Sequence, residues 1–275
     1  METKNEPTVA MEVALKEIGS ILQKHCPLLS LYCFGMHCNS DTNHDILGGQ
    51  CASEKRSDHF YLFGCAEKVA QNATANLMDI VATETEGRYS CTLLLHSHKQ
   101  IAKAQPEQKH FYKDILEKAW LIRGEAMDAE KLNLIDLPDK NKEGIEKYVS
   151  DRNMLASSLL IEIEEHVETL LLAVTTHQVL ELLFLGGIYE RLQYHPNHFH
   201  LEYLYHLFQY CQPIPEFIFP ASFFEQEKYR EILNANHNEL RFRSKNLFEM
   251  ENVLIVRAYA QRLYGWIVLE THGNK

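Results

Sequence analysis

The first candidate for chemistry is a group of cysteines and histidines near the start of the chain. It contains Cys33, His37, Cys38, His44 and Cys51, and thiolate and imidazole are the ligands that zinc prefers. Their spacings are not those of a common zinc knuckle. Cys33 also falls within an apolar segment, where a free thiol behaves as a small hydrophobic side chain. We therefore interpret these residues as loop and core residues, and predict no metal and no cofactor.

The second candidate is the one compact basic cluster of the sequence, formed by Arg241, Arg243 and Lys245. It ends a predicted helix, and cations at a helix C-terminus are stabilised by the helix dipole. The same side chains are also suited to bind a phosphate of a nucleotide or RNA. From the residues alone both interpretations stay open, and stabilisation by the helix dipole would be sufficient to explain the cluster.

The composition limits the classes of function. The chain has 275 residues and a net charge of −11, so any contact with nucleic acid should be local rather than through a broad basic face. The sequence contains no run of about 18 apolar residues, so we predict no membrane span. The N-terminal METKNEPTV lacks the features of a signal peptide. Seven cysteines without CxxC spacing favour reduced thiols. We expect a cytoplasmic protein.

Several short motifs follow one another between His177 and Phe242 and carry a resemblance. The motifs are His177-Gln178-Val179-Leu180-Glu181, the turn Tyr194 to His200, Phe219-Pro220, Glu225-Gln226-Glu227, and Asn236-His237 through Arg241-Phe242. The order and spacing of these motifs resemble those of the HEPN family, the helical nucleotide-binding domains of prokaryotes and higher eukaryotes. The chain departs from the usual pattern at Val179-Leu180 and Asn236-His237, where the family has Ala-Ala and Ala-Tyr.

The resemblance implies a fold and a function for residues 151–275. It implies a HEPN helical bundle of bacterial type that binds a nucleotide, RNA or a partner protein. HEPN domains commonly pair, so a homodimer through the helical domain is also implied. No other complete catalytic set is present in the sequence, so we expect binding without catalysis.

The competing hypothesis is a metal-independent endoribonuclease of the toxin or defence type. Arg191 and His198 match the R-x4-6-H pattern of HEPN ribonucleases, so the resemblance implies an RNA-cleaving pair. The ribose 2′-hydroxyl would attack the phosphate, His198 would exchange a proton, and Arg191 would stabilise the developing charge. His195, His200 and His206 lie in the same region, so it stays open which histidine fills the position.

The elements of the N-terminal half predict a small α/β domain over residues 1–125. Apolar segments predict strands at 28–35, 59–65, 89–97 and 119–124, and amphipathic segments predict helices at 8–25, 68–84 and around 106–118. This half resembles a nucleotidyltransferase core, but Phe34-Gly35-Met36 lacks the usual serine. Asp58 is the one carboxylate at an expected position, and two are needed to hold Mg²⁺. This half is therefore interpreted either as a catalytically inactive, degenerate relative of that fold or merely as a small α/β domain.

The elements of the C-terminal half predict only helices. Residues 126–150 are charged and contain Pro138 and Gly144, which predicts a linker, either without regular structure or with a short helix before Asp151. Apolar residues at helical spacing then predict helices at 154–175, 176–190, 199–211, 225–243 and 250–269. Short connections between them favour an up-and-down bundle. The predicted fold class is thus a two-domain α+β protein.

Overall fold

The structure, a computed structural model, describes residues 8–41, 55–161, 168–242 and 248–273. The chain forms two compact units, Met1–Lys140 and Asn141–Lys275, which we call the sheet unit and the helical unit. The first contains a small four-stranded sheet and the second is mostly helical. The predicted α+β layout in two domains is confirmed at this level.

The sheet unit alternates strands and helices. Its elements are α1 Val9–His25, β1 Leu28–Asp41, β2 Lys55–Ala66, α2 Ala73–Glu84, β3 Tyr89–Ser97, α3 His98–Ala102, α4 Pro106–Lys118 and β4 Trp120–Gly124. The strand order is β3-β2-β1-β4. β1 pairs antiparallel with β2 and β4, whereas β2 and β3 are parallel and are joined by α2, since parallel neighbours need a crossover.

Helix α1 shows how the apolar pattern selects a buried face. Thr8 caps the helix, because its hydroxyl accepts a hydrogen bond from the Met11 backbone N–H. Ile18 is fully buried, but Val9 is 79% and Val13 58% exposed. The apolar spacing of the sequence predicts that Val9 and Val13 lie on the same buried face as Ile18, and this prediction is wrong. At about 100° per residue, both lie on the side of the helix opposite Ile18.

Helix α2 begins later than predicted. The sequence pattern extended it from 68 to 84, whereas the helix starts at Ala73. Asn72 has a left-handed backbone, with φ at +61°, a conformation that asparagine tolerates and that a helix interior does not contain. The segment 68–72 therefore turns before the helix starts.

The two faces of the sheet bury different side chains. On one face, α1 and α2 pack on an aliphatic core that includes Leu31, Leu62 and Leu93. On the other face, Phe63 makes ring contacts with Phe111 and Tyr112 of α4. Because strand side chains alternate between faces, a single strand supplies both layers.

The helical unit consists of seven helices within the described ranges. They are α5 Lys142–Ile161, α6 Thr169–Leu192, α7 Leu201–Cys211, α8 Ser222–Glu225, α9 Glu227–Leu233, α10 His237–Phe242 and α11 Met250–Gly273. The linker predicted over residues 126–150 was too long at its end, because α5 already begins at Lys142. The Asn141 side chain accepts the Gly144 N–H at 2.9 Å, so a polar cap starts a helix within a charged sequence.

Helix α6 forms the centre of this unit. Two separate helices were predicted at 154–175 and 176–190, but α6 runs through that boundary without a break. It packs against α5, α7, α9, α10 and α11, and residues on all its sides are buried. It is long and apolar enough to cross a bilayer, but 72% of its most apolar window is buried inside the protein. This burial is typical of the central helix of a soluble bundle.

Helix α7 runs in the same direction as α6. Tyr205 contacts Phe184, with ring centroids 6.0 Å apart, and Phe208 lies directly over Gly187, which comes later in α6. Later residues of α6 therefore contact later residues of α7, which means that the two helices are parallel. Residues 193–200 lead back along α6 before α7 starts, so the expected up-and-down arrangement was wrong for this pair.

The helix predicted over 225–243 is divided in the structure. Helix α9 ends at Leu233 and α10 begins at His237. Between them the Asn236 side-chain oxygen accepts the Asn238 backbone N–H at 3.0 Å, and its side-chain amide lies 3.4 Å from the Asn234 carbonyl oxygen. Asparagine favours such turns because its side chain competes with the helical hydrogen bonds.

Candidate functional site

The helical unit contains a cleft of about 580 Å³ with an unusual concentration of imidazoles. Helix α6, the 193–200 segment with the start of α7, and the α9–α10 turn form its walls. We call it the histidine cleft, and its lining residues are His177, Glu181, His198, Phe199, His200, Leu201, Asn234, Asn236 and His237. Four histidines, one carboxylate and two amides provide donors and acceptors around one exposed aromatic ring.

The α6 wall is held by a buried histidine. His177 is 7% exposed, and its Nδ1 lies 2.5 Å from the Leu233 carbonyl oxygen. That carbonyl belongs to the last turn of α9, where the helix itself supplies no N–H partner. His177 Nε2 lies 3.4 Å from Glu181 Oε2, one helical turn away. The pair thus connects α9 to α6 and places a carboxylate at the cleft.

The second wall depends on how α6 ends. Gln193 adopts a left-handed backbone, with φ at +49°, and this conformation terminates α6. The chain then passes Pro196 without regular structure until α7 begins. Along this path His198 and His200 lie nearly parallel, with ring centroids 6.2 Å apart and an interplanar angle of 10°. His198 also packs edge-on against Tyr203 at 4.9 Å, which holds its ring at the cleft.

The third wall is the turn between α9 and α10. Asn234 and Asn236 are half-buried and His237 is exposed. Asn236 is occupied with capping α10, so its role is to shape the turn. Asn234 and His237 stand on either side of it and direct polar groups to the same opening.

Phe199 is the apolar contact surface of the cleft. It is 53% exposed between two histidines, although most phenylalanines of this unit are buried in its core. An exposed aromatic ring beside hydrogen-bonding groups is suited to stacking with a planar ligand such as a nucleobase. The histidine cleft therefore offers a stacking surface, polar side chains for a base edge, and imidazoles for a phosphate.

Of the predicted pair Arg191 and His198, only His198 lines the histidine cleft. Arg191 lies in the last turn of α6, where its charge affects the pKa of the Cys211 thiol at the end of α7. Burial raises the pKa of the Cys211 thiol, and the Arg191 charge offsets part of that rise. From Glu181 to Arg191, α6 rises about 15 Å.

The predicted basic cluster is only partly described. Arg241 is an exposed residue of α10, the helix that starts at the cleft residue His237. Arg243 and Lys245 lie outside the described residues. Arg241 is thus one turn away from the cleft along a short helix, in the last turn where a cation complements the helix dipole.

The other two sequence candidates lie in the sheet unit. Cys33 is buried and His37 is exposed at the outer part of β1. His44 and Cys51 are not among the described residues, and of Cys38 only the backbone is. Asp58 stands in β2 between β1 and β3. Over the described parts of the chain, no three His, Cys, Asp or Glu side chains are arranged to hold a metal ion.

A second and larger cleft, of about 780 Å³, lies in the sheet unit. Lys68, His98 and Lys99 contribute its polar groups near the ends of β2 and β3, together with Glu67. These are surface side chains on flexible stems, and only one imidazole is among them. We regard the histidine cleft as the better candidate because its polar groups are partly buried and converge from three segments.

His198 and the motifs around it were identified from the sequence, but no role was assigned to Glu181, Phe199 or Asn234. Their signal was their position in or beside the motif segments: Glu181 ends the His177–Glu181 motif, and Phe199 lies in the Tyr194–His200 turn. The folding of these segments onto one opening could not be derived from spacing along the chain. No family model matches the chain, and no curated protein or solved structure matches it either.

Proposed function

We propose that the helical unit is a nucleotide- or RNA-binding module whose ligand occupies the histidine cleft, without catalysis. One observation carries the proposal: three separate segments place four imidazoles, a carboxylate, two amides and an exposed phenylalanine around one opening of about 580 Å³. Clefts of this size with convergent polar groups are suited to small ligands. We further propose that the unit is a HEPN-type bundle of bacterial type.

The positions of the family-like motifs support this assignment. The motif beginning at His177, the turn ending at His200 and the motif beginning at Asn236 each contribute to the histidine cleft. If the motifs served only to fold the bundle, they would have no reason to meet at an open cleft. The sheet unit is proposed to be a degenerate nucleotidyltransferase-like domain, with Asp58 alone at an expected carboxylate position.

The binding proposal is tested by calorimetric titration with AMP and GMP, and by fluorescence anisotropy with a labelled single-stranded RNA of about ten nucleotides. Stacking on an aromatic side chain contributes about 1–3 kcal/mol per base, so Phe199→Ala should weaken binding about tenfold. Phe217→Ala is the matched control, since Phe217 is 70% exposed and does not line the cleft. Absence of binding in every titration, or equal loss in both variants, would contradict the proposal.

The metal-independent ribonuclease is the second candidate, favoured by one observation, the position of His198 at the cleft. Since Arg191 lies about three turns of α6 away from Glu181, the active pocket would need Arg191 of a second copy. Incubation of total RNA with wild type, Arg191→Ala and His198→Ala decides the matter. Cleavage that persists in EDTA and is lost in both variants would establish the enzyme. Equal activity in all three proteins would exclude Arg191 and His198 as the catalytic residues.

A homodimer through the helical unit is part of the same proposal. Large apolar side chains on α5 and α11 support it, because Leu155, Ile161, Leu254 and Leu269 are each at least half exposed. Sedimentation velocity at micromolar concentration should then give a dimer. If the protein is a monomer, the histidine cleft is a site formed by one chain. A different protein would then be the alternative partner for the exposed apolar side chains of α5 and α11.

A further inference from the structure

The larger cleft, in the sheet unit, lies where two parallel strands end. Strands β2 and β3 run in the same direction and end level with each other, with Ala66 opposite Ser97. The residues that follow each strand, together with Leu29 near the start of β1, line this cleft of about 780 Å³. In open α/β sheets, ligands bind in the crevice beyond the carboxyl ends of parallel strands. The volume of the cleft is within the range of small-molecule sites.

The polar side chains of this cleft are mainly cationic. Lys68 follows β2, and His98 and Lys99 follow β3. Within the part of the chain that the structure describes, neither lysine forms an ion pair, whereas Lys118 of the same unit pairs with a carboxylate one helical turn away. Glu67, the carboxylate of the cleft, also forms no ion pair with a described residue. The positive charge of the two lysines is therefore available to a ligand.

The charge and the apolar surface of the cleft together indicate the ligand class. The whole chain has a net charge of −11, so a locally positive cleft is the part of it that attracts an anion. The lysine ammonium group is a common ligand of phosphate, and its flexible stem lets it move onto the anion. Leu29 is 40% exposed and Val69 is half-buried beside these cations. A ligand with a carbon skeleton next to its anionic group would contact both kinds of surface.

This cleft is separate from the carboxylate position discussed above. Asp58 lies opposite Tyr89 at the start of β3, eight strand residues before Ala66. At about 3.3 Å per residue, the two ends of β2 are roughly 26 Å apart. A ligand at the carboxyl ends of the strands is therefore bound without Asp58.

We propose that the cleft at the ends of β2 and β3 binds the phosphate group of a phosphate ester. Lys68 and Lys99 contact the phosphate from the two strands, His98 donates a hydrogen bond to it, and Leu29 and Val69 contact the carbon skeleton. The site is independent of the histidine cleft, because all of these residues belong to the sheet unit. A small metabolite and the 5′ end of an RNA present the same phosphate chemistry, and the experiment separates these two sources.

The test is an NMR titration of the isotopically labelled full chain with glycerol 3-phosphate. The backbone amide signals of residues 67–69 and 97–99 should shift and reach saturation. Lys68→Gln and Lys99→Gln should each weaken binding about fivefold, as expected for the loss of one exposed charge pair, and the double variant should lose saturable binding. The matched control is Lys103→Gln, which removes an exposed lysine directly after α3 that does not line the cleft. This control should bind as the wild type does.

The outcomes decide between a site and general attraction of anions. Equal weakening in Lys103→Gln, or equal shifts with uncharged glycerol, would overturn the proposal. So would an absence of shifts, or shifts confined to residues of the helical unit. The second arm compares a short single-stranded RNA with and without a 5′-phosphate. If the 5′-phosphate enhances the shifts at residues 67–69 and 97–99, the phosphate site accepts an RNA end, and if only glycerol 3-phosphate shifts them, the site is selective for small esters. Either result supports the phosphate site.

Discussion

The sheet unit buries two of its histidines, His59 and His96, in the core, whereas the helical unit leaves several of its histidines at an open cleft. In the sheet, His96 is 4% exposed and stacks on Phe63 at 5.8 Å. Burial lowers its pKa to about 4, so it is a neutral core residue at physiological pH. In the helical unit, His198 and His200 instead face an opening with a carboxylate and amides.

Cysteines of the sheet unit behave in the same way. Burial raises the pKa of Cys33 and of Cys91 to about 12, and that of Cys65 to about 11. Such thiols are protonated and unreactive near neutral pH. Residue types suited to chemistry therefore indicate a site only where the fold keeps them in contact with solvent and brings them together.

The largest expected effect tests where the stability of the helical unit resides. Phe184 is fully buried and contacts Phe208, with ring centroids 5.5 Å apart. Phe184→Ala should lower the free energy of unfolding by about 3–5 kcal/mol through lost burial and a cavity. Denaturant unfolding followed by far-ultraviolet circular dichroism measures it. Phe199→Ala, a truncation at the cleft, should change stability by less than about 0.5 kcal/mol. Similar losses in the two variants would mean that the cleft is part of the core.

The next effect concerns the neutral His96 of the sheet unit. Its pKa in the folded protein, about 4, is below the ordinary value of 6.5, so the unfolded chain takes up the proton first. The stability contributed by this burial is complete above pH 6.5 and is lost as the pH falls toward 4. The full difference corresponds to about 3 kcal/mol.

His96→Phe should remove this part of the acid sensitivity, because a phenyl ring does not titrate. Urea unfolding of the wild type and the variant between pH 4 and pH 7 provides the test. His98→Phe serves as the control, since His98 is half-buried. An unchanged pH dependence in His96→Phe would show that His96 is not the group responsible.

The sequence predicted the fold class because strong local patterns determine it. The strands, α1, α4, α7 and α11 were identified from apolar spacing. Features decided by a single backbone conformation or polar cap were missed, including the start of α2 at Asn72 and the start of α5 at Asn141. Each of these helix starts depends on a single residue. A periodic pattern is a property of many residues, so it does not reveal the effect of one.

The candidate site was predictable only in parts. His198 was identified from its spacing to Arg191, yet Arg191 does not line the cleft. The fold instead brings His198 to the same cleft as His177, which is 21 positions earlier in the chain. This arrangement exists because residues 193–200 return along α6, and no local pattern encodes such a return. The hydrogen bond from His177 to Leu233 joins residues 56 positions apart and was equally inaccessible.

A smaller effect sharpens the contrast between enclosed and open histidines. Diethyl pyrocarbonate acylates neutral imidazoles that solvent reaches, so His200 and His237, which are exposed, should react at least several times faster than the buried His59 and His96. Mass spectrometry of peptides after brief treatment of the native protein gives the rates. Saturating AMP should protect the cleft histidines. Equal rates for the four residues would remove the distinction between the two units.

The smallest effect tests whether Asn236 shapes the cleft or binds its ligand. Its side-chain oxygen accepts the Asn238 N–H at 3.0 Å, so Asn236→Ala should cost about 1 kcal/mol of stability, as loss of a helix cap does. Asn236→Asp retains the acceptor and should preserve stability. A capping residue affects the ligand only by loosening the turn, so binding should also be preserved in the Asp variant. If Asn236→Asp keeps the stability but loses AMP binding, the amide contacts the ligand directly, and the α9–α10 turn is a recognition element rather than a scaffold.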